Sequence, residues 1–430
     1  MAFLGKNRNI IIAAIIVVLV VAGGYVGYTL WFAPQPETEI GIIKIGVITE
    51  LTGFYTLGQD IKPAMELAVQ YINDHGGVKV QGKTYNLTLV IRDDQTSVAT
   101  GIALASELDE QEQVICLTGS ANSDVSIAIM EYARDHGITW VVNQAASPEI
   151  RGGQDGWTYR FQPDSVTKGV VAGQWMMDQD PNAKVAIMYG DNAYYGTMGF
   201  GVRWGVEHYG SKEQVVYFQG FPLSQVDYTA AAAGIKLLNP DFVWQSGNVN
   251  MIRALLQAGF TGRQIIHAST PTSLEMIQAL GEEVVGSVGV AQMDFWKTSS
   301  EVQGDAVLGD RWEKFWIPFK GIRGEVPNAI SMLAYDTIWI IKEAIERADS
   351  LDRTKFNEAM AQTSLKGICW PTKTVVFDSE GQNLLGNYIS QVTRQINATY
   401  VEVRYGGYYD YPEGFIPTLD LALAYPVYPY

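Results

Sequence analysis

Four histidines and two cysteines are the softest metal ligands in this chain, and their placement argues against a metal centre. His75, His136, His208 and His267 are scattered and form no HExxH pair. Cys116 lies in the apolar run VICLTG and Cys369 in GICWP, which reads as two buried thiols, with a single disulfide as the alternative. Adjacent carboxylates stand at Asp93-Asp94 and Glu282-Glu283. The first pair falls at the carboxyl end of a predicted strand, where open α/β sheets bind ligands, although a turn or a helix cap is its plainer use. The GxSxG elbow of serine esterases is absent. An enzyme is therefore not expected, nor is a cofactor. Small hydroxyl and aromatic residues at strand ends offer binding chemistry instead. Ser120, Asn122 and Ser123 follow QVICLTG and open a helix over 122–136, whose unpaired N–H groups and partial positive charge suit a carboxylate. Ser123 has plain N-terminal capping as its alternative. Tyr194 and Tyr195 follow AIMYGD, with edge packing as theirs.

These residues need strands and helices to hold them. Apolar, β-branched runs at 42–50, 86–94, 113–119 and 138–143 read as strands, and a second series follows at 183–191, 214–220, 241–247, 263–269 and 284–292. Between them lie helix-period segments. Ile61, Met65, Ala68 and Ile72 recur on one helical face, as do Val98, Ile102, Ala105 and Leu108. Further helices are predicted near 165–179, 196–209, 228–238, 249–258, 272–280, 305–317, 328–348 and 354–363. Strand–helix alternation of this kind marks parallel, doubly wound sheets, and nine strands divide better between two domains than within one. Two doubly wound parallel-sheet α/β lobes are expected. The end from Tyr405 to Tyr430 carries seven Tyr and four Pro and is expected to continue neither a helix nor a central strand.

Composition sets the compartment. The 430 residues are 47% apolar and 18% charged, which excludes disorder, and 46 acidic against 30 basic residues give a net charge of −16. A surface of that sign repels phosphates, so no nucleic-acid partner is expected. Residues 10–33 carry no charge, follow Lys6 and Arg8, and precede a Pro-containing spacer over 34–41. They can span a hydrocarbon core of about 30 Å as a helix. Residues 1–9 would then be cytoplasmic and everything after the spacer external, with a cleaved signal peptide and a secreted or periplasmic chain as the alternative.

The segment IKIGVITELTGFYTLGQDIKPAMELAVQYINDHGGV resembles the opening of the type I periplasmic binding proteins, specifically the branched-chain amino-acid-binding group of ABC-transporter receptors. LVIRDDQTS, GITWVVNQAASPEI, YRFQPDSVTKG, VAIMYGDNAYYG, NAISMLAYDTIWIIKEAIERADS and VVFDSEGQN extend the resemblance over about 42–395. It implies a clam-shell of two lobes joined by three crossovers, with lobe one over 42–163 and 296–374 and lobe two over 164–295 and 375–404. It implies a ligand carboxylate held at Ser123 and at the position of Ala146, where the family carries a Thr hydroxyl. The ligand ammonium would be met by Asp164 and at Thr270, where the family carries Glu. An aromatic ring corresponds to Tyr195 and a second falls near Asn248, while Gln144, Tyr55 and Leu57 complete the ligand-facing set. The departures at Ala146 and Thr270, with Phe54, Tyr55, Tyr194, Tyr195 and Trp244 near the pocket, predict an aromatic or aliphatic carboxylate or an amide rather than a branched-chain amino acid. The implied role is a monomeric, extracytoplasmic solute receptor that serves ABC permease subunits. The alternative is a ligand-sensing ectodomain of the same fold coupled to a signalling partner.

Overall fold

The computed structural model describes residues 40–53, 56–269, 274–291, 304–324, 326–370, 373–395 and 401–409. Two sheets organise them. The first contains β1 (Gly41–Thr49), β2 (Val78–Val80), β3 (Lys83–Asp93), β4 (Cys116–Gly119), β5 (Thr139–Val142) and β6 (Thr158–Arg160) in the order β2-β3-β1-β4-β5-β6. The second contains β7 (Val185–Gly190), β8 (Val215–Phe221), β9 (Phe242–Ser246), β10 (Ile265–His267), β11 (Val288–Ala291), β12 (Asn387–Gln395) and β13 (Val401–Tyr409) in the order β13-β12-β11-β10-β9-β7-β8. Each sheet is mixed rather than wholly parallel: β2 pairs antiparallel with β3, and β12 and β13 add an antiparallel edge after β11. The Tyr-rich end therefore enters a strand as far as Tyr409. An edge position tolerates this, and the first proline of the tail, Pro412, comes later.

Helices cover both faces of each sheet, because strands this apolar must be buried on both sides. On one face of the first sheet, α1 (Gly58–Asp74), α9 (Ala306–Arg323), α10 (Ala329–Ala348) and α11 (Arg353–Met360) pack over Ile43, Ile45, Val47, Cys116 and Val141. On the other, α2 (Val98–Ser106) and α3 (Ser123–His136) cover Ile48, Leu117, Trp140 and Val142. In the second sheet, α4 (Ser165–Gln179) and α5 (Tyr195–Tyr209) lie over Ile187, Trp244 and Ile266. Opposite them, α6 (Thr229–Leu237) and α7 (Val249–Gln257) lie over Ala186, Val243 and Ile265, and α8 (Leu274–Leu280) follows β10. The chain passes between the sheets from β6 to α4, from β11 to α9, and again before β12.

Four expectations need correction. In α2, Val98 and Ile102 are exposed, and Gly101 and Ala105 face inward, because Gly101 lets Val125 approach the backbone directly. Val375 and Phe377, assigned to lobe two, belong to the core of the first sheet, and the segment beyond them bridges Arg160 through Gln382 before β12 begins. Trp244 is a fully buried core residue whose indole N–H donates to Ser246, so it is not a pocket wall. Ser123 does not cap α3; Asn122 does, accepting from the Val125 amide at 3.0 Å. Both cysteines are free and buried. Among the described residues no helix is long and apolar enough to cross a membrane, and the apolar segment 10–33 lies outside them.

Candidate ligand-binding site

In the first sheet the chain leaves β1 at Thr49, and the next residue, Glu50, has no exposed surface. Asp94 ends β3 in the same way and is equally buried. After β4, Gly119 takes φ +118° and Ser120 φ +44°, and a side chain on Gly119 would stand 2.2 Å from the Ile48 carbonyl. That turn aims the Ala121 amide at the Glu50 carboxylate, with N···O distances of 3.1 and 3.2 Å. Burial, with the neighbouring Asp94 charge, pushes Glu50 up to about 7; burial also raises Asp94. One Asp94 carboxylate oxygen, Oδ2, is buried with no hydrogen-bond partner. Asp93, by contrast, is a turn residue that accepts from the Leu51, Thr52 and Gln95 amides.

The candidate residues of lobe one meet at the next two strand ends. The Ser123 hydroxyl, 4% exposed, accepts from the Ser147 amide at 3.2 Å, which ties the start of α3 to the segment after β5. Gln144 is buried and donates to the Ile330 carbonyl at 2.8 Å. Ala146 is fully buried, and its carbonyl accepts from the Ser165 amide at 2.7 Å and from Arg160 at 3.3 Å. The edge of the first sheet thereby touches the first turn of α4. Leu57 is half-buried at the N-terminal boundary of α1, and the following Gly58 amide donates to the Glu50 carbonyl at 3.1 Å. Tyr55 and Thr270 lie outside the described residues.

On the lobe-two side, Asp164 caps α4, accepting from the Thr167 amide at 2.6 Å and the Thr167 hydroxyl at 2.8 Å. Its second oxygen is 3.9 Å from Arg160, and both side chains are buried. Asp164 is thus already paired. Asn248 caps α7 and donates to Tyr228, so its polar atoms also serve the local fold. Tyr195 is half-buried at the start of α5, with its amide on Asn192 and its ring 5.0 Å from that of Tyr194. Ser165 and Thr197 share a hydroxyl–hydroxyl bond of 2.5 Å. A chain of contacts therefore runs from Ser123 through Ser147 and Ala146 to Ser165, Thr197 and the tyrosines. Asn248 stands apart from it.

Three residues escape the sequence reading. Lys168, one turn into α4, is 1% exposed, and burial lowers it to about 7. Arg160 is buried against Gln382 and Ala146. Glu50 looks in sequence like an ordinary loop acid. The signals were a lone lysine in the apolar run VTKGVVAG and an acid directly after the uncharged run IGVIT. The string GVKVQGKT over 77–84 also has phosphate-loop spelling. It forms the β2–β3 hairpin, with positive φ at Gln81 and Gly82, and so lacks the strand–loop–helix setting that would cradle a phosphate. Among the described residues no three His, Cys, Asp or Glu side chains gather to hold a metal.

Comparison with known proteins agrees with this architecture. Residues 42–395 match the family described as periplasmic binding protein. A Leu/Ile/Val-binding protein homolog of Brucella abortus is 23% identical over 357 residues, covering 81% of this chain and 89% of its own. Among solved structures, a leucine binding protein of Thermotoga maritima superposes with TM-score 0.68 at 20% identity, over 86% of this chain and 99% of its own. A solute binding protein of an ABC transporter from Rhodopseudomonas palustris, in complex with p-hydroxybenzoic acid, gives 0.69 at 21% identity, over 86% and 97%. These relatives are binding proteins and not enzymes. With two mixed α/β sheets crossed three times by the chain and a family match over nearly the whole described length, this chain belongs to the periplasmic binding protein family, with the type I fold.

Proposed function

We propose that the chain is the extracytoplasmic solute receptor of an ABC importer, which closes two lobes over a small amino-acid-like, carboxylate or amide ligand and presents it to permease subunits. The observation that carries this reading is the contact at the crossover. The Ala146 carbonyl of one sheet edge accepts from the Ser165 amide of the other lobe, beside Ser123, Gln144 and Tyr195, at the strand ends where α/β folds bind ligands. Family membership supports the extracytoplasmic location, and we propose residues 10–33 as a single-pass anchor, with a cleaved signal as the alternative. The receptor acts as a monomer.

The ligand is an aromatic or aliphatic acid, or an amide, rather than leucine, isoleucine or valine. Asp164 is committed to Thr167 and Arg160, so a buried ammonium would find little at that position. The p-hydroxybenzoic acid held by the Rhodopseudomonas palustris relative supports the same reading. Native mass spectrometry of the purified protein tests for retained solute, and calorimetry ranks leucine, isoleucine and valine against benzoate-like acids and amides. Small-angle scattering then checks closure: a bound probe should compact the protein. An unchanged profile at saturation refutes the clam-shell mechanism, and submicromolar leucine binding refutes the ligand class.

A further inference from the structure

Lys168 has no ordinary structural reason to be where it is. It sits in the first turn of α4, at the positive end of that helix, where a cation is disfavoured. It has almost no exposed surface, and among the described residues no carboxylate lies within ion-pairing distance. Its ammonium donates to the Tyr194 hydroxyl at 3.2 Å and stands 5.7 Å from the centre of that ring. A buried cation with one neutral partner costs several kcal/mol that a core residue of the same size would not. Tyr194 is half-buried and lies between β7 and α5, at the carboxyl edge of the second sheet. Having accepted from Lys168, its hydroxyl keeps its own proton free to donate.

The opposite edge carries the opposite charge. Glu50 and Asp94 are buried side by side at the ends of β1 and β3, and the Ala121 amide beside Ser123 is already taken by Glu50. An acid group placed there would face two carboxylates and lose a donor. We propose that Tyr194, backed by Lys168, is the group that reads the ligand's acid, so that the solute lies with its anionic end toward lobe two and its neutral or donor end toward Ser123 and Glu50. This rests on the receptor reading above and reverses the orientation that the family resemblance implies. The ligand class narrows to monoanionic acids.

The test uses the full-length protein with benzoate, 4-hydroxybenzoate and 4-methylpentanoate as probes, each against its amide. The wild type should bind at least one acid ten times more tightly than its amide. Lys168→Met and Tyr194→Phe should each reduce that ratio at least tenfold, whereas Ser123→Ala should weaken acid and amide alike. Without ligand, Lys168→Met should raise the urea midpoint, because it removes an uncompensated buried charge. An anion retained by the wild type on native mass spectrometry should be absent from Lys168→Met. Unchanged acid affinity in Lys168→Met, or a lower urea midpoint with the acid preference intact, overturns the assignment. A wild-type protein that holds only neutral or cationic solutes overturns it and leaves the receptor reading standing. A protein that neither retains a solute nor compacts with any probe overturns both.

Discussion

Replacing Glu50 by glutamine should make stability less dependent on pH, in one direction and over a defined window. In the folded protein Glu50 ionises at about 7 instead of 4.5, because burial and then the Asp94 charge oppose its anion. An acid whose folded value is raised contributes stability that is complete below the unfolded value and lost as pH rises to the folded one. The loss therefore accumulates between 4.5 and about 7 and then levels off. At about 1.4 kcal/mol per unit, a rise of that size corresponds to about 3 kcal/mol. Glutamine keeps a carbonyl oxygen for the Ala121 amide and cannot ionise, so the penalty disappears. Of the acidic groups at these element ends, Asp93 and Asp94 stand at the end of β3, Asp60 at the start of α1, held by Arg323 and Asn328, and Asp124 at the start of α3. Of these, Asp94 is the one whose charge acts on Glu50. Urea denaturation at a series of pH values from 4.5 to 8 should show the variant gaining on the wild type by about 3 kcal/mol across the series. Denaturation curves separated by a constant amount at every pH would refute the reasoning. Asp94→Asn should move the upper end of that window to lower pH, because the charge that opposes the Glu50 anion is gone.

Other variants probe the packing and the site. Ser123→Ala should weaken binding of whichever probe the wild type holds by at least tenfold, read by calorimetry, and should also lower the melting temperature, since the buried Ser147 amide loses its acceptor although Asn122 still caps α3. Gly201→Ala should destabilise by about 1–3 kcal/mol or more, because the new carbon would stand 2.3 Å from the Val166 carbonyl where α4 and α5 touch. Gly234→Ala, on exposed α6 with open space around it, should instead stabilise by about 0.5–1 kcal/mol, and thermal melts of the two distinguish a packing glycine from a dispensable one. Arg311→Met leaves Asp336 buried with the Cys369 amide but no cation, and should cost about 3–5 kcal/mol. The double variant with Asp336→Leu should recover much of that loss in urea melts.

The chain's own pattern determined the element order. Apolar strands such as VAIMYG, buried along their whole length, can be held only between helices, and the face of α1 set by Ile61, Met65, Ala68 and Ile72 lies buried as the 3.6-residue period requires. The positions of Ser123 and Tyr195 at strand ends were legible for the same reason. The tertiary structure decided what periodicity cannot encode. Gly101 turns α2 so that Val98 and Ile102 face solvent, an outcome of close approach by Val125 from a different helix. Asp164 became a paired cap, and Trp244 a core residue, through partners distant from any motif. Lys168 and Glu50 are ordinary letters in the sequence. Their chemistry comes from burial, which raises the cost of a charge only after chain segments far apart in sequence have closed over it and removed the water.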